Sequence, residues 1–219
     1  MTSDTDKHDI SEARNRIIAE IGDDTVLVAA SKRQPADRIN AALKSGHRVF
    51  GENRVQEAQE RWATRRESIS DLELRLIGPL QTNKAEDAVQ LFDVIETLDR
   101  EKMLRALIKA VEKTASPPPG LLIQVNTGNE PQKGGVTVQG LEELLSQARE
   151  TWPGEILGLM CIPPAEEPAG PHFALLKKLA DQYALPQISM GMSSDYALAA
   201  RLGATHVRVG TALFGARDS

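Results

Sequence analysis

Eight short β-rich runs alternate with helical stretches along almost the whole of this chain, and few architectures accommodate that order. The runs are Val26–Ala30, Arg48–Phe50, Leu72–Ile77, Asp93–Glu96, Leu121–Val125, Ile156–Met160, Gln187–Met190 and His206–Val209. Between them, Pro35–Ser45, Arg54–Arg65, Arg100–Lys113, Val138–Thr151, Pro171–Leu185 and Asp195–Leu202 carry helix formers with apolar residues three or four apart. A short helix is expected at Lys84–Leu91, and a leading helix, Ile10–Ile21, precedes the first run. Pro35 fits a first-turn proline and Asp195 a helix N-terminus. About eight βα units in 219 residues favour an α/β chain folded as a single (β/α)8 TIM barrel with an extra N-terminal helix. A doubly wound open sheet satisfies the same alternation, because closure leaves no mark in sequence. One domain over residues 1–219 is expected. The S-P-P-P-G run at Ser116–Gly120 has the composition of a boundary, but it falls in a helix-to-strand connection and reads as a rigid loop.

Composition narrows the partners. Hydrophobic residues make up 41% of the chain and aromatics only 4%, so the core is expected to be packed mainly from Val, Ile, Leu and Ala. The net charge of −5 and the lack of a basic block argue against nucleic acid as a partner. Cys161 is the only cysteine, so no intramolecular disulfide forms and a reducing compartment is the simpler reading. The opening M-T-S-D-T-D-K-H-D-I has no apolar core of a signal peptide, and no run approaches the ~18 apolar residues needed to cross a bilayer. A soluble, cytoplasmic protein is expected.

The most informative segment for function is Ile188–Gly215, which reads as strand, Gly/Ser turn, short helix, strand and a second glycine turn. Gly191 and Ser193 lie in the first turn, Gly210 and Thr211 in the second. Backbone N–H groups at helix starts favour an anion, and the last two βα units of a barrel commonly hold a phosphate. Lys32 stands at the end of the first strand, in V-L-V-A-A-S-K. A phosphate cradle facing a strand-end lysine suggests a phosphorylated carbonyl compound held as a Schiff base. An amine at the edge of an apolar barrel is expected to lose hydration and become more nucleophilic; the competing reading is an ordinary solvated lysine.

Other strand ends are rich in Asn, Gln, Ser, Thr and Gly. Asn53, Gln81 and Asn83 are candidates to orient a ligand, with turn and cap chemistry the simpler account of Thr82 and Asn83. Met160, Met190 and Met192 are candidate apolar walls. Arg208 alternates with Val207 and Val209, so it faces the inside or mouth of the barrel and must be paired or functional. Two readings stand side by side: an ion pair with a neighbouring carboxylate such as Glu52, or a hydrogen bond to a ligand ring nitrogen. Cys161 has no histidine near it in sequence and reads as inert. His8, His47, His172 and His206 lack ligand spacing, so no metal is expected. The loop Gln132–Val136 reads as a plain turn, with Lys133 as a second-choice anion contact.

Seven motifs, in order and over nearly the whole chain, resemble the pyridoxal 5′-phosphate homeostasis protein family. They are A-A-S-K (29–32), F-G-E-N-R-V-Q-E (50–57), L-I-G-P-L-Q-T-N-K (76–84), Q-V-N (124–126), G-L-M-C-I-P (158–163), S-M-G-M-S (189–193) and R-V-G-T-A-L-F-G (208–215). The resemblance implies a fold-type III barrel like the N-terminal domain of alanine racemase, with pyridoxal 5′-phosphate as cofactor. It implies Lys32 as the Schiff-base lysine and Ser193, Gly210 and Thr211 on the phosphate. It puts Asn53 near the ring and Arg208 near the pyridine nitrogen; Met192, from the candidate apolar walls, completes the expected cofactor-binding residues. Where many members carry histidine before L-I-G, this chain has Arg75. Alanine racemase has a second domain that supplies a catalytic tyrosine; Tyr183 and Tyr196, the only tyrosines here, fall in predicted helices. The expected function is therefore a cofactor carrier in intracellular homeostasis and delivery, without turnover. Its partners would be the cofactor and pyridoxal-phosphate-dependent apo-enzymes; no membrane is involved and the default state is a monomer. A minimal amino-acid racemase or lyase and a cofactor-free Schiff-base aldolase are the enzyme alternatives.

Overall fold

The computed structural model describes residues 9–215; the polar opening stretch through His8 and the last four residues lie outside them. Helix α1 (Ile10–Ile21) is capped by Asp9, whose carboxylate accepts from the N–H groups of Ser11 and Glu12 at 2.8 and 3.2 Å. There follow β1 (Val26–Ala30), α2 (Ala36–Lys44), β2 (Val49–Glu52), α3 (Val55–Ser68) and β3 (Glu73–Leu76). A 3-10 turn (Thr82–Lys84) then leads into α4 (Ala85–Leu91), β4 (Val94–Leu98), α5 (Glu101–Thr114) and β5 (Gly120–Asn126). The chain continues through β6 (Val136–Thr137), α6 (Leu141–Thr151), β7 (Ile156–Met160), α7 (Ala169–Gln182), β8 (Gln187–Ser189), α8 (Tyr196–Arg201), β9 (His206–Val209) and α9 (Thr211–Phe214).

All pairings are parallel. Strands β1 to β5 pair in sequence, β5 pairs with β7, and β7, β8 and β9 follow in order. Strand β9 then returns to β1, with Val26 opposite His206 through to Ala29 opposite Val209. That last pairing closes an eight-stranded (β/α)8 barrel and removes the open-sheet alternative, which requires two free edges.

Several boundaries differ from the sequence expectation for physical reasons. Pro35 is the residue before α2, with extended ψ of 154°, not its first turn. Helix α7 begins at Ala169, ahead of Pro171, because the first turn of a helix makes no use of its N–H groups. Helix α6 begins at Leu141 and not at Val138, because Val138–Gly140 form a turn, in which the Gly140 N–H donates to the Thr137 carbonyl at 3.1 Å, between β6 and the helix. Strand β2 reaches Glu52, because Gly51 and Glu52 pair with Arg75 and Leu76.

Alternation along each strand divides two interiors. Leu27, Ala29, Leu74, Leu76, Ile95, Ile188, Val207 and Val209 face the helices and join one apolar core with the buried stripes of α1, α5, α6 and α7. Their neighbours face inward. A small apolar plug of Val94, Leu122 and Met160 fills part of the lumen. Beside it stands a charged layer: Arg75, Glu96, Ser189 and Arg208, all at most 4% exposed.

Candidate functional site

At the C-terminal end of β1 the chain reverses in a tight turn. The Gln34 N–H donates to the Ser31 carbonyl at 3.0 Å, which puts Lys32 and Arg33 at the corners. Arg33 has φ of 56°, in the left-handed region, a conformation that costs a non-glycine residue on the order of 1 kcal/mol or more. Arg61 on α3 holds the turn in place: Nη1 donates to the Ser31 carbonyl at 3.0 Å and Nη2 to that of Gln34 at 3.3 Å. Glu52, at the end of β2, holds Arg61. Its Oε1 accepts from Arg61 at 2.6 Å, the Ser31 hydroxyl at 2.7 Å and the Trp62 indole at 2.8 Å. Glu52 is fully buried, and its Oε2 has no partner.

Lys32 itself is exposed. The loss of hydration expected for this amine is not provided by the protein, because the residue rides on a turn and not on the strand proper. Gln34, two residues on, is turned inward and only 6% exposed, with its Oε1 buried and unpartnered.

The opposite side of the mouth is built by the ends of β8 and β9. Gly191 has φ of 89°, and a Cβ there would lie 2.4 Å from the Ala199 side chain, so only glycine fits. Asp195 does not cap α8 with its side chain; Oδ1 accepts from the Met192 N–H at 2.6 Å and tightens the preceding turn. The Ser193 hydroxyl oxygen lies 3.2 Å from the Gly210 N–H and 3.4 Å from that of Ala212. The two glycine turns are therefore joined, and the N–H groups that open α9 are already drawn onto an oxygen.

Arg208 rises between these walls from β9. Its Nη1 donates to the Ser189 hydroxyl at 2.6 Å and its Nη2 to the Cys161 carbonyl at 2.8 Å. The carboxylate near it is Glu96, at 3.9 Å, and not Glu52, which is engaged on the far side by Arg61. Burial pushes the Glu96 pKa up, but the charges of Arg75 and Arg208 and the hydrogen bonds from Ser189 and Arg75 outweigh it and hold the group below its ordinary value. Burial pushes the Cys161 thiol up to about 12, which leaves it inert as a nucleophile.

A cavity of ≈ 190 Å³ brings these parts together. Lys32, Gln34, Asn53, Arg208, Gly210 and Thr211 line it, with apolar walls from Ala30, Ile77, Ile162 and Met192. Six of the seven residues singled out from sequence are in this lining, and Ser193 touches it through Gly210. A larger cavity of ≈ 550 Å³ shares Lys32 and Asn53 and continues past Arg54, Gln56, Gln81 and Lys84. Asn53 is fixed by Gly78, where a Cβ would lie 2.3 Å from the Asn53 carbonyl oxygen.

Other candidates lie elsewhere. Met160 and Met190 are fully buried and line neither cavity; Met192 alone of the three does. Asn83 is part of the 3-10 turn. Asn126 closes its own loop onto Glu130, and Lys133 pairs with Glu130 at 2.7 Å. Ala30, Gln34, Ile77 and Ile162 were missed. The signal for Ile77 was present, since it follows Arg75 by two residues on the inward face; Gln34 carries no such periodic mark.

Comparison with known proteins agrees with this geometry. Residues 7–218 match the family model of the alanine racemase N-terminal domain. The pyridoxal phosphate homeostasis protein of Escherichia coli K12 is 34% identical over 96% of each chain. That of Aquifex aeolicus is 40% identical over 87% of this chain and 86% of its own. PipY of Synechococcus elongatus PCC7942, solved with pyridoxal 5′-phosphate bound, is 36% identical and superposes with a TM-score of 0.84 over 94% of this chain and 100% of its own. Alanine racemase of Clostridium difficile 630 shares the fold, with a TM-score of 0.75, at 14% identity over 97% of this chain and 58% of its own. The barrel is thus of the alanine racemase N-terminal class. Within that class, the chain belongs to the pyridoxal phosphate homeostasis protein family.

Proposed function

We propose that this protein binds pyridoxal 5′-phosphate in the smaller cavity, with Lys32 as covalent anchor, and serves cofactor homeostasis and delivery without turnover. The observation that carries the reading is the meeting of Lys32, Arg208 and the Gly210–Thr211 turn in one lining. The donor set suits the cofactor: N–H groups already gathered on an oxygen at Ser193 for the phosphate, apolar walls for the ring, and an unpartnered buried Gln34 oxygen at the edge. When bound, the cofactor supplies an aldehyde that joins an amine and a ring that withdraws electrons.

The residues divide the work. Ser193, Gly210 and Thr211 hold the phosphate, and Asn53 and Met192 orient the ring. Arg208 faces the ring nitrogen. A guanidinium only donates and remains charged, so it holds that nitrogen as an unprotonated acceptor and weakens the ring as an electron sink. Apart from Lys32, the described lining offers no imidazole, carboxylate, phenol or thiol as a second proton-transfer group. The Tyr196 phenol is occupied at 2.6 Å by Glu20 of α1, and Tyr183 packs at the end of α7. Both facts favour a carrier over a racemase or lyase.

The same reading makes the protein a cytoplasmic monomer of one domain, with apo-enzymes as the recipients of the cofactor. One barrel occupies the described residues, and none of their helices is long and apolar enough to cross a membrane. The test is the near-UV and visible spectrum of the purified protein with pyridoxal 5′-phosphate, followed by borohydride trapping and mass spectrometry. The expected adduct is on Lys32 and disappears in Lys32→Ala. An adduct on Lys84 or Lys133 instead would overturn the assignment.

A further inference from the structure

The charged layer inside the barrel forms one ordered chain whose hydrogen-bond polarity is fixed by its members. Arg208 Nη1 donates to the Ser189 hydroxyl oxygen at 2.6 Å. That hydroxyl has one proton, and a guanidinium accepts none, so the proton points the other way, to Glu96 Oε2 at 2.6 Å. Glu96 Oε1 in turn accepts from Arg75 Nε at 2.6 Å. Arg75 is anchored beyond by Glu73, which accepts from Nη1 at 2.6 Å, and by the Gln187 side-chain oxygen, which accepts from Nη2 at 2.8 Å. His206 and Cys161 are the remaining titratable groups against this layer: burial together with the Arg75 charge lowers the His206 pKa to about 4, burial pushes the Cys161 thiol up to about 12, and both are neutral.

We propose that Arg75 is a positioning residue for Arg208, aiming its guanidinium into the ligand cavity through Glu96 and Ser189. Arg75 is 1% exposed and is not in the cavity lining, and its side-chain hydrogen bonds go to Glu73, Glu96 and Gln187, none of which lines the cavity either. Two arginines share Glu96. With Nε of Arg75 on one oxygen, the carboxylate is held at 3.9 Å from Arg208, a long ion pair, and is hydrogen-bonded to it only through the Ser189 hydroxyl. Without Arg75, Glu96 is free to close on Arg208, which draws the guanidinium down from the mouth and neutralises it. The residue that departs from the family resemblance is, on this account, the one that sets how much positive charge the ligand ring meets.

The proposal rests on the reading of Arg208 as a ring contact, so the experiment has one arm that needs no ligand. In that arm, hydrogen exchange of the Arg208 Nη protons is followed by NMR. Slow exchange is expected in the parent protein; in Arg75→Gln, where Glu96 closes directly on the guanidinium, it should slow further by about tenfold or more, whereas in Ser189→Ala, which removes the acceptor of Nη1, it should quicken by about as much, the order of change expected for one buried charged hydrogen bond made or lost. In the second arm, pyridoxal 5′-phosphate affinity should fall roughly two- to thirtyfold in both variants and the pH midpoint of the bound chromophore should shift. Competition by inorganic phosphate should stay unchanged, since the cradle is separate. Arg75→Lys, which keeps one charged donor for Glu96, should recover most of both effects and guards against a failure of Arg75→Gln to fold. Unchanged Arg208 exchange in a folded Arg75→Gln protein, or equal losses for the cofactor and for inorganic phosphate, would overturn the proposal. If the parent protein forms no chromophore, the binding reading fails, and the exchange arm alone decides the role of Arg75.

Discussion

Removing Arg61 should unsettle both the fold and the anchor turn, and the size of the effect follows from what it leaves behind. Glu52 is fully buried, and Arg61, with its side chain 17% exposed, is the cation on it at 2.6 Å. In Arg61→Met the carboxylate keeps only two neutral donors, Ser31 and Trp62, on the oxygen that lost its charge partner, while Oε2 has none to begin with. Breaking a buried pair from one side costs about 3–5 kcal/mol. For a chain of this length each kcal/mol is about 2–4 °C of Tm, so a fall of roughly 6–20 °C is expected. The turn loses two donors at once, and Arg33 stays in its strained conformation without them. Covalent trapping at Lys32 should therefore slow by more than the loss of stability explains. Urea denaturation of the parent, Arg61→Met, Glu52→Gln and the double variant gives the coupling, expected to exceed about 1.5 kcal/mol because the double variant buries no unpaired charge. A single variant that loses less than about 1 kcal/mol, or additive losses in the double variant, would refute the clamp.

Three further outcomes follow from the geometry. Ser193→Ala should weaken pyridoxal 5′-phosphate by about ten- to a hundredfold, the worth of a charge-assisted hydrogen bond to phosphate, with a much smaller effect on unphosphorylated pyridoxal; equal losses for the two would place the anion elsewhere. Gly191→Ala should destabilise by more than about 2 kcal/mol on urea denaturation, because the new Cβ combines a positive φ with contact at 2.4 Å to Ala199. Burial holds His47 and His206 at about 4 against an ordinary 6.5, so the unfolded chain takes up protons first as pH falls. Stability should thus be at its plateau above about pH 6.5 and decline towards pH 4 by up to roughly 3 kcal/mol per histidine; urea midpoints that stay flat across that window would contradict it.

Much of this was readable in the chain because barrels write a regular pattern. Strands β1, β7 and β9 and helix α1 have the bounds expected, the strands because each is a short run rich in apolar or β-branched residues ended by turn residues, the helix because Asp9 opens it and Gly22 closes it. The alternation Val207–Arg208–Val209 was enough to turn Arg208 inward. It could not say which carboxylate meets it. That depends on the stagger between strands, which brings Glu96 of β4 across the lumen to β9 and leaves Glu52 facing α3. The two-residue β6 has no run to recognise. Gln34 was missed, and the exposure of Lys32 misjudged, for one reason: both are consequences of a turn held by Arg61, thirty residues away in sequence from Ser31.

The site and the stability of the barrel are consequently not separate matters in this protein. A lumen of this kind is commonly filled with branched apolar side chains, and here part of it is. Beside that plug lie two arginines, a buried glutamate and a serine, an arrangement that hydrophobic residues of equal volume often match or exceed in stability. Its retention is explained by what lies above it. A guanidinium at a cavity floor needs its remaining donors satisfied from below, and an apolar lumen offers no acceptors. Ser189 and the Cys161 carbonyl are those acceptors, and Glu96, which accepts the Ser189 proton, is the countercharge behind them. Glu96 in turn requires a second cation, since burial alone would push its proton back on. Arg75 is that cation, so the charge at the mouth dictates the polar layer down to the floor of the barrel at Glu73.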